Sequence, residues 1–373
     1  MGSRILLMSS IPFAAPWNGA DKNLGRLIAQ TDSENEYILQ TGIEDNWPAH
    51  VNPIRSRQAG AMPTDGQKIR SFGYLLSNSR KAEIVHIIAS LSKPSLLATG
   101  FLKSWKKAAG KPVIHTIPSL GDLRLSSRHF IADITVVVSD DSRKKLEAQG
   151  VHNVIRISPP LNTSLLRLTQ DPEQLNRALA LGPLAMLYPA HYGADSGIKE
   201  MIQAFAALPA ILNDCVLVLA CRTHPFQDAE VEANRVRRYA EETGVSERVR
   251  VLGNVQDMPT LISACALTIL VPRKLSSKMD LPLVILESLA LNRPVVVSDQ
   301  APIREALLGG GGLAVPFGDI SALTTAISRL LSDKVLYHTL AKKGFDAVER
   351  DCNPEIVIEQ YRYIYQYLCR RQA

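Results

Sequence analysis

Short apolar runs alternate along this chain with longer amphipathic or polar stretches. In the first half the runs Ile5–Met8, Tyr37–Gln40, Ile84–Ala89, Val113–Thr116, Ile134–Val138 and Val154–Ile157 predict strands. Helices are expected from about Asp21 to Gln30 and from Ser142 to Gln149. The second ends at Gly150, a residue suited to a left-handed helix terminator. The second half repeats the plan. Strands are predicted at Ala185–Pro189, Val216–Ala220, Val249–Leu252, Ala266–Pro272 and Val295–Ser298, with helices at Ile198–Leu208, Asp228–Thr243, Met258–Cys265 and Ile320–Ser332. A last segment, Pro354 to Leu368, places Val357, Tyr361, Ile364 and Leu368 on one helical stripe. Repeated strand–helix units on short connections predict an α/β chain with parallel sheets covered on both faces.

The length suits two cores better than one. The expected division is 1–170, 171–353 and a C-terminal helix, 354–373, returning to the first domain. Pro159-Pro160 to Gly182-Pro183 holds no convincing strand and carries the connection. With 46% hydrophobic and 21% charged residues the composition is that of an ordinary globular protein. The apolar stretches are strand-length, so no membrane span is expected. The start runs into strand Arg4–Met8 without a signal-peptide pattern. The five cysteines lack metal-ligand spacing and read as reduced thiols, so a cytoplasmic protein is expected.

Charge changes the picture through its placement. Residues 1–170 carry 21 Lys and Arg against 13 Asp and Glu, whereas residues 171–373 carry 21 against 23. The basic clusters are Arg55/Arg57, Arg80/Lys81, Lys103/Lys106/Lys107/Lys111 and Arg143/Lys144/Lys145. Such a half suits an anionic or lipid-linked acceptor, with peripheral contact to the inner face of a membrane, or is simply a solvated basic surface. Nucleic acid is not expected, since the clusters lack interleaved aromatics and no binding motif occurs.

The candidate chemistry centres on Glu287. It is the only charge in Leu281–Leu291, a run that follows a buried strand and the polar loop Arg273–Asp280. A largely buried carboxylate needs a partner, because leaving it unpaired costs several kcal/mol. A helix opening at the carboxyl end of a parallel strand is where open α/β sheets bind ligands, and an acid there suits a ribose diol. A structural salt bridge is the alternative. Asp280 either contacts a sugar hydroxyl or caps the helix. His191, after a strand, could bind a phosphate or sugar or be merely exposed. Asp21 could orient an acceptor or cap its helix. Ser139-Asp140-Asp141 reads as a cap rather than a metal site, and His86 as a core histidine. No metal cluster, Walker loop or nucleophile elbow is found.

The segment Leu283-Val-Ile-Leu-Glu-Ser-Leu-Ala-Leu-Asn-Arg-Pro-Val-Val-Val297 resembles the donor-binding core of GT-B glycosyltransferases of family 4, the glycogen-synthase-like retaining group. Gly253-Asn254-Val255 matches the nucleobase loop, Gly197 the start of the donor-domain helix, and Glu305 with Gly312 the segment beyond the acid. In the first half the likeness is weaker: Asn18-Gly19-Ala20-Asp21 looks like the family's Gly-rich loop, and Ala132-Asp133 and Ser139 fit as well. The resemblance implies two Rossmann-like doubly wound domains facing a cleft. It also implies a sugar nucleotide as substrate on the second domain, an acceptor on the first, and neither metal nor cofactor. Glu287 would be the second acid of the family's paired motif. Leu283, Val284, Gly253 and Val255 would line the donor site, and Gly19 and Asp21 the acceptor or phosphate loop.

The departures are specific. The first motif acid should stand at position 279, which is Met, with Asp280 one residue later. The family's donor-loop cations align with His191 and Ser196, and its first-domain histidine with Pro118. Lys278 and Asp280 are therefore the candidate catalytic groups, with Arg222 and Arg273/Lys274 as further cations. The expected function is sugar transfer from a nucleotide-sugar donor with retention. A nucleotide-sugar epimerase and a non-catalytic nucleotide-sugar binding protein are the alternatives.

Overall fold

The computed structural model describes residues 2–9, 12–13, 20–42, 45–55, 73–91, 99–121, 126–166, 171–223, 228–275 and 279–371. The chain forms two compact units. Unit 1 comprises Met1–Pro160, Ser276–Asp280 and Asp351–Ala373, and unit 2 comprises Leu161–Leu275 and Leu281–Arg350. The first boundary thus falls at the Pro159-Pro160 pair rather than at 170. The short segment before Leu281 belongs to unit 1 and not to the second half.

Unit 1 is built on a seven-stranded parallel sheet of order β3-β2-β1-β4-β5-β6-β7. Its strands are β1 (Arg4–Met8), β2 (Glu36–Thr41), β3 (Val51–Arg55), β4 (Ile84–Ile88), β5 (Val113–Ile117), β6 (Ile134–Val137) and β7 (Val154–Arg156). β3 was not anticipated from sequence because Pro53 interrupts its run. Proline is tolerated there because β3 is an edge strand that, among the described residues, pairs with β2 alone. Helices α1 (Ala20–Thr31), α2 (Thr99–Ala109) and α3 (Asp140–Ala148) cover the sheet, with a further helix at 73–78. Successive side chains point to opposite faces. Leu6, Met8, Ile38 and Val85 pack with Leu75 and Trp105 in one cluster.

Unit 2 carries a six-stranded parallel sheet of order β10-β9-β8-β11-β12-β13. These are β8 (Met186–His191), β9 (Leu217–Arg222), β10 (Val249–Leu252), β11 (Leu267–Leu270), β12 (Val295–Ser298) and β13 (Gly312–Val315). The last strand was not anticipated from sequence, since its run begins among the glycines 309–312. Its glycine is required by packing, since a Cβ on Gly312 would lie 2.0 Å from the carbonyl oxygen of Val295. The helices are α4 (Pro172–Ala178), α5 (Ile198–Ala206), α6 (Ala229–Glu242), α7 (Met258–Ala264), α8 (Leu283–Ala290), α9 (Ile320–Ser332) and α10 (Lys334–Asp351). α10 buries only Ala341, Gly344, Ala347 and Val348, so it lacks the bulky stripe that marks a helix in sequence.

The final helix, α11 (Pro354–Arg370), groups with unit 1. It lies on the sheet face that carries His86. Tyr365 Oη is 2.8 Å from His86 Nδ1, and Thr116 Oγ1 lies 2.8 Å from His86 Nε2 and 3.3 Å from Tyr361 Oη. Burial, reinforced by the nearby His115, pushes the His86 imidazole down to about 3, so it is a neutral core group. Arg362 Nε donates to Asp32 Oδ1 at 2.7 Å, while Tyr37 and Asn35 donate to Asp32 Oδ2.

Candidate active site

In unit 2 the strand order reverses between β8 and β11, so these two strands flank the crevice where a doubly wound sheet takes its ligand. Three polar residues belong to the elements at this crevice. His191 closes β8, Arg222 closes β9 as its register partner, and Glu287 stands on α8, the helix that follows β11. Glu287 is half-buried, and its carboxyl is pushed up to about 7 by burial, an effect the Arg222 charge partly offsets. At neutral pH the group is therefore divided between acid and carboxylate. It is poised to be ionised by hydrogen-bond donors, which favour the charged form.

The amino ends of the helices supply a second signature. α4, α6, α7 and α9 are capped by aspartates: Asp171, Asp228, Asp257 and Asp319 each accept from the first-turn amides. Asp333 does the same for Leu336 N in α10. α5 and α8, which follow the switch-point strands, begin at Gly197 and Pro282 with no side-chain cap. The nearest substitute is a 3.4 Å contact from Ile198 N to Ser196 Oγ. Amides without an acidic cap, at the positive end of the helix dipole, suit an anion.

The loop between β8 and α5 is held rigidly. Tyr188 Oη donates to Ser196 O at 2.7 Å and Ser196 Oγ to Gly193 O at 2.6 Å. Gly197 adopts φ 75°, and a Cβ there would lie 2.3 Å from Val271 O, so only glycine lets the loop sit against the end of β11. Beyond β11, Arg273 N donates to Asp195 O at 2.9 Å, and its guanidinium lies 4.9 Å from the centre of the Phe317 ring. Ser298 Oγ and Gln300 Nε2 both donate to Pro272 O. A braced arginine between the two loops results. Its partners Asp195 and Phe317 come from separate parts of the sequence, which is why spacing did not reveal them.

Other expected residues fall into place unevenly. Val255 and Val284 pack against the same core cluster, which ties the loop after β10 to the first turn of α8, where Leu283 also lies. Gly253 is exposed on that loop. Lys278 and Gly19 lie outside the described residues, as does the side chain of Asp21. Asp280 does not cap α8. It lies in unit 1, 3% exposed, with its Oδ2 accepting from Ser139 Oγ at 2.6 Å and Ser142 Oγ at 2.5 Å. Position 279, where a first acid would stand, is a fully buried methionine. Among the described residues no group of three or more His, Cys, Asp or Glu side chains could hold a metal ion.

Comparison with known proteins bears on the fold and on the family that unit 2 matches. Residues 172–346, nearly all of unit 2, match the family described as Glycosyl transferases group 1. The pair of doubly wound units is the GT-B fold: Anabaena HepE, crystallised in complex with UDP, superposes with a TM-score of 0.75 at 16% identity, covering 98% of this chain and 100% of that one. A Streptomyces coelicolor exopolysaccharide phosphotransferase is 28% identical over 204 residues, 54% of this chain and 20% of its own length. A Mycobacterium leprae phosphatidyl-myo-inositol mannosyltransferase is 25% identical over 233 residues, 62% of this chain and 58% of its own length. The chain thus spans less than two thirds of either relative.

Proposed function

We propose that the protein is a glycosyltransferase that moves a sugar from a nucleotide-sugar donor, bound by unit 2, to an acceptor. The observation that carries this reading is Glu287 at the switch point of a domain that matches Glycosyl transferases group 1. Its carboxylate accepts the ribose hydroxyls. The uncapped amino ends of α5 and α8, together with Arg222 and Arg273, take the diphosphate. Charge grows on that diphosphate as the glycosidic bond breaks, and donors already in place there lower the barrier. Retention of configuration and independence of metal are part of the proposal, and the resemblance of Leu283–Val297 to family 4 is what supports them. The discriminating assay offers labelled UDP- and GDP-sugars. Release of nucleotide with sugar appearing in a product supports transfer; an altered free nucleotide-sugar indicates an epimerase. Tight binding without turnover indicates a binding protein, a reading favoured by the methionine at position 279.

The acceptor is anionic or lipid-linked and is met by unit 1 at the inner face of a membrane. No helix among the described residues is long and apolar enough to cross one. α2 exposes Phe101 (50%), and the neighbouring helix at 73–78 exposes Leu76 (45%). Both elements pack on one core cluster, and Lys103, Lys107, Arg80 and Lys81 are exposed on or beside them. Lys106 is otherwise engaged, donating to Ile131 O at 2.8 Å and to Asp133 at 2.7 Å. Arg143 and Lys145 pair with Asp140 and Asp141 on their own helix, so that cluster offers less free charge than its sequence suggests. Co-sedimentation with anionic vesicles tests this surface.

A further inference from the structure

We propose that unit 2 carries a second ligand site, a groove between the end of α8 and α10 that takes a small organic phosphate with an aromatic or apolar body. The inference goes beyond the donor reading and does not depend on it. Asn292 and Arg293, which follow α8, form one wall, and Tyr337, His338, Lys342 and Phe345 of α10 form the other. Arg293 precedes β12, and Tyr337 Oη donates at 2.9 Å to the carbonyl of Ala266, just before β11. The groove therefore lies at the amino ends of the strands, opposite the donor crevice. Its volume is about 610 Å³, within the roughly 300–1,000 Å³ of small-molecule sites.

A close helix contact shapes the groove, and charge selects its ligand. A Cβ on Gly344 would lie 2.7 Å from Leu289 Cδ2 and 3.0 Å from Gly311 Cα, so α10 is pressed against α8 along its small residues. The adjoining stripe of α10, His338, Lys342 and Phe345, carries the large side chains that line the groove. Arg293 donates from Nη2 to Ser263 O at 2.8 Å and from Nη1 to Tyr337 Oη at 3.4 Å. Among the described residues no carboxylate pairs with it, and its buried Nε has no hydrogen-bond partner. Ser263 stands in the last turn of α7, whose dipole answers only about half a charge. The one acid of the groove, Asp346, is engaged by Lys342 at 2.7 and 3.0 Å. Two cations against one acid leave the groove net positive. Among the described residues the side chains of Asn292 and His338 make no hydrogen bond, so an amide and a ring nitrogen remain to donate. An anionic head satisfies these groups, and Tyr337 and Phe345 offer aromatic surface to its body.

The test titrates phenyl phosphate into the full chain, as wild type, Lys342→Glu, Arg293→Gln and Arg222→Ala. Ligand-observed NMR reads binding, and amide hydrogen exchange over 291–294 and 337–346 locates it. Phenyl phosphate should bind the wild type more tightly than inorganic phosphate does and protect both segments. Lys342→Glu and Arg293→Gln should each weaken it about tenfold or more, the loss expected of a charge-assisted contact. Arg222→Ala, in the donor crevice, should leave it unchanged. Lys342 is exposed, so its variant decides the matter should Arg293→Gln, which also releases Ser263 O, fail to fold. No binding, or binding indifferent to Lys342→Glu, would overturn the site. Loss in Arg222→Ala instead would place the probe in the donor crevice and overturn it too. Equal affinity for inorganic phosphate would overturn the aromatic half of the assignment. If the wild type binds neither UDP nor GDP, the donor reading fails, while the Lys342 dependence and the protected segments still decide the groove.

Discussion

The positive charge of Arg222 favours the ionised form of Glu287, but it only partly offsets the burial that lifts this carboxyl to about 7. A buried acid with an incomplete counter-charge is a cost to the folded state, and such costs collect where a ligand completes the set of partners.

The sign of that cost sets a pH dependence. A carboxyl whose pKa is raised on folding contributes stability that is fully present below its ordinary value near 4.5 and is lost as pH rises through about 7. Relative to Glu287→Gln, the wild type should gain on the order of 2 kcal/mol when pH falls from 8 to 5.5. Urea unfolding at the two pH values measures this, and parallel behaviour of both proteins would remove the raised pKa.

Arg222→Ala should act on both sides of the same pair. Glu287 would then be harder to ionise, and the diphosphate would lose a cation. Turnover should fall by more than UDP affinity, because the leaving-group charge is largest in the transition state. Steady-state rates set beside calorimetric affinities separate the two effects; equal losses would mean that Arg222 serves binding alone.

How much of this could be read from the residues differs between the sheets and the site. The apolar runs marked most strands and both sheets, because fully buried parallel strands are hydrophobic throughout. β3 and β13 escaped because Pro53 and Gly312 are tolerated only for reasons of three-dimensional placement, at an edge and at a close strand contact. Glu287 stood out as one charge in an apolar helix. Asp280 carried no comparable signal: its partners Ser139 and Ser142 lie more than a hundred residues away in sequence, where they looked like ordinary helix-capping residues. Arg273 was a candidate cation from its loop position, but its neighbours Phe317 and Asp195 come from distant parts of the chain and could not be read from spacing.

Arg362 and Asp32 join the last helix to the first sheet, and Asp32 is 0% exposed. Arg362→Ala leaves a buried carboxylate without its counter-charge, with only Tyr37, Asn35 and the Glu34 amide still donating to it, at an expected cost of about 3 kcal/mol. Thermal unfolding reads it. A change within about 0.5 kcal/mol of wild type would show that the ion pair is not what holds α11 in place.

For the acceptor surface, Lys103→Ala/Lys107→Ala should reduce sedimentation with anionic vesicles. The wild-type interaction should weaken as salt rises, since exposed charges are screened over roughly 8 Å at physiological ionic strength. UDP affinity should change little in the same variant. Absence of sedimentation at low salt would leave a soluble acceptor and a merely solvated basic face.

The most direct test of the donor site is calorimetric titration of UDP and GDP into wild type and Glu287→Gln at pH 6 and pH 8. One nucleotide should bind the wild type more tightly at pH 8, where Glu287 is ionised to receive the ribose hydroxyls. Glu287→Gln should lose about 2 kcal/mol of that affinity and the part of its pH dependence not due to the phosphate's own titration. A correctly folded Glu287→Gln protein that binds both nucleotides as the wild type does, at both pH values, would contradict the assignment of this residue to the donor.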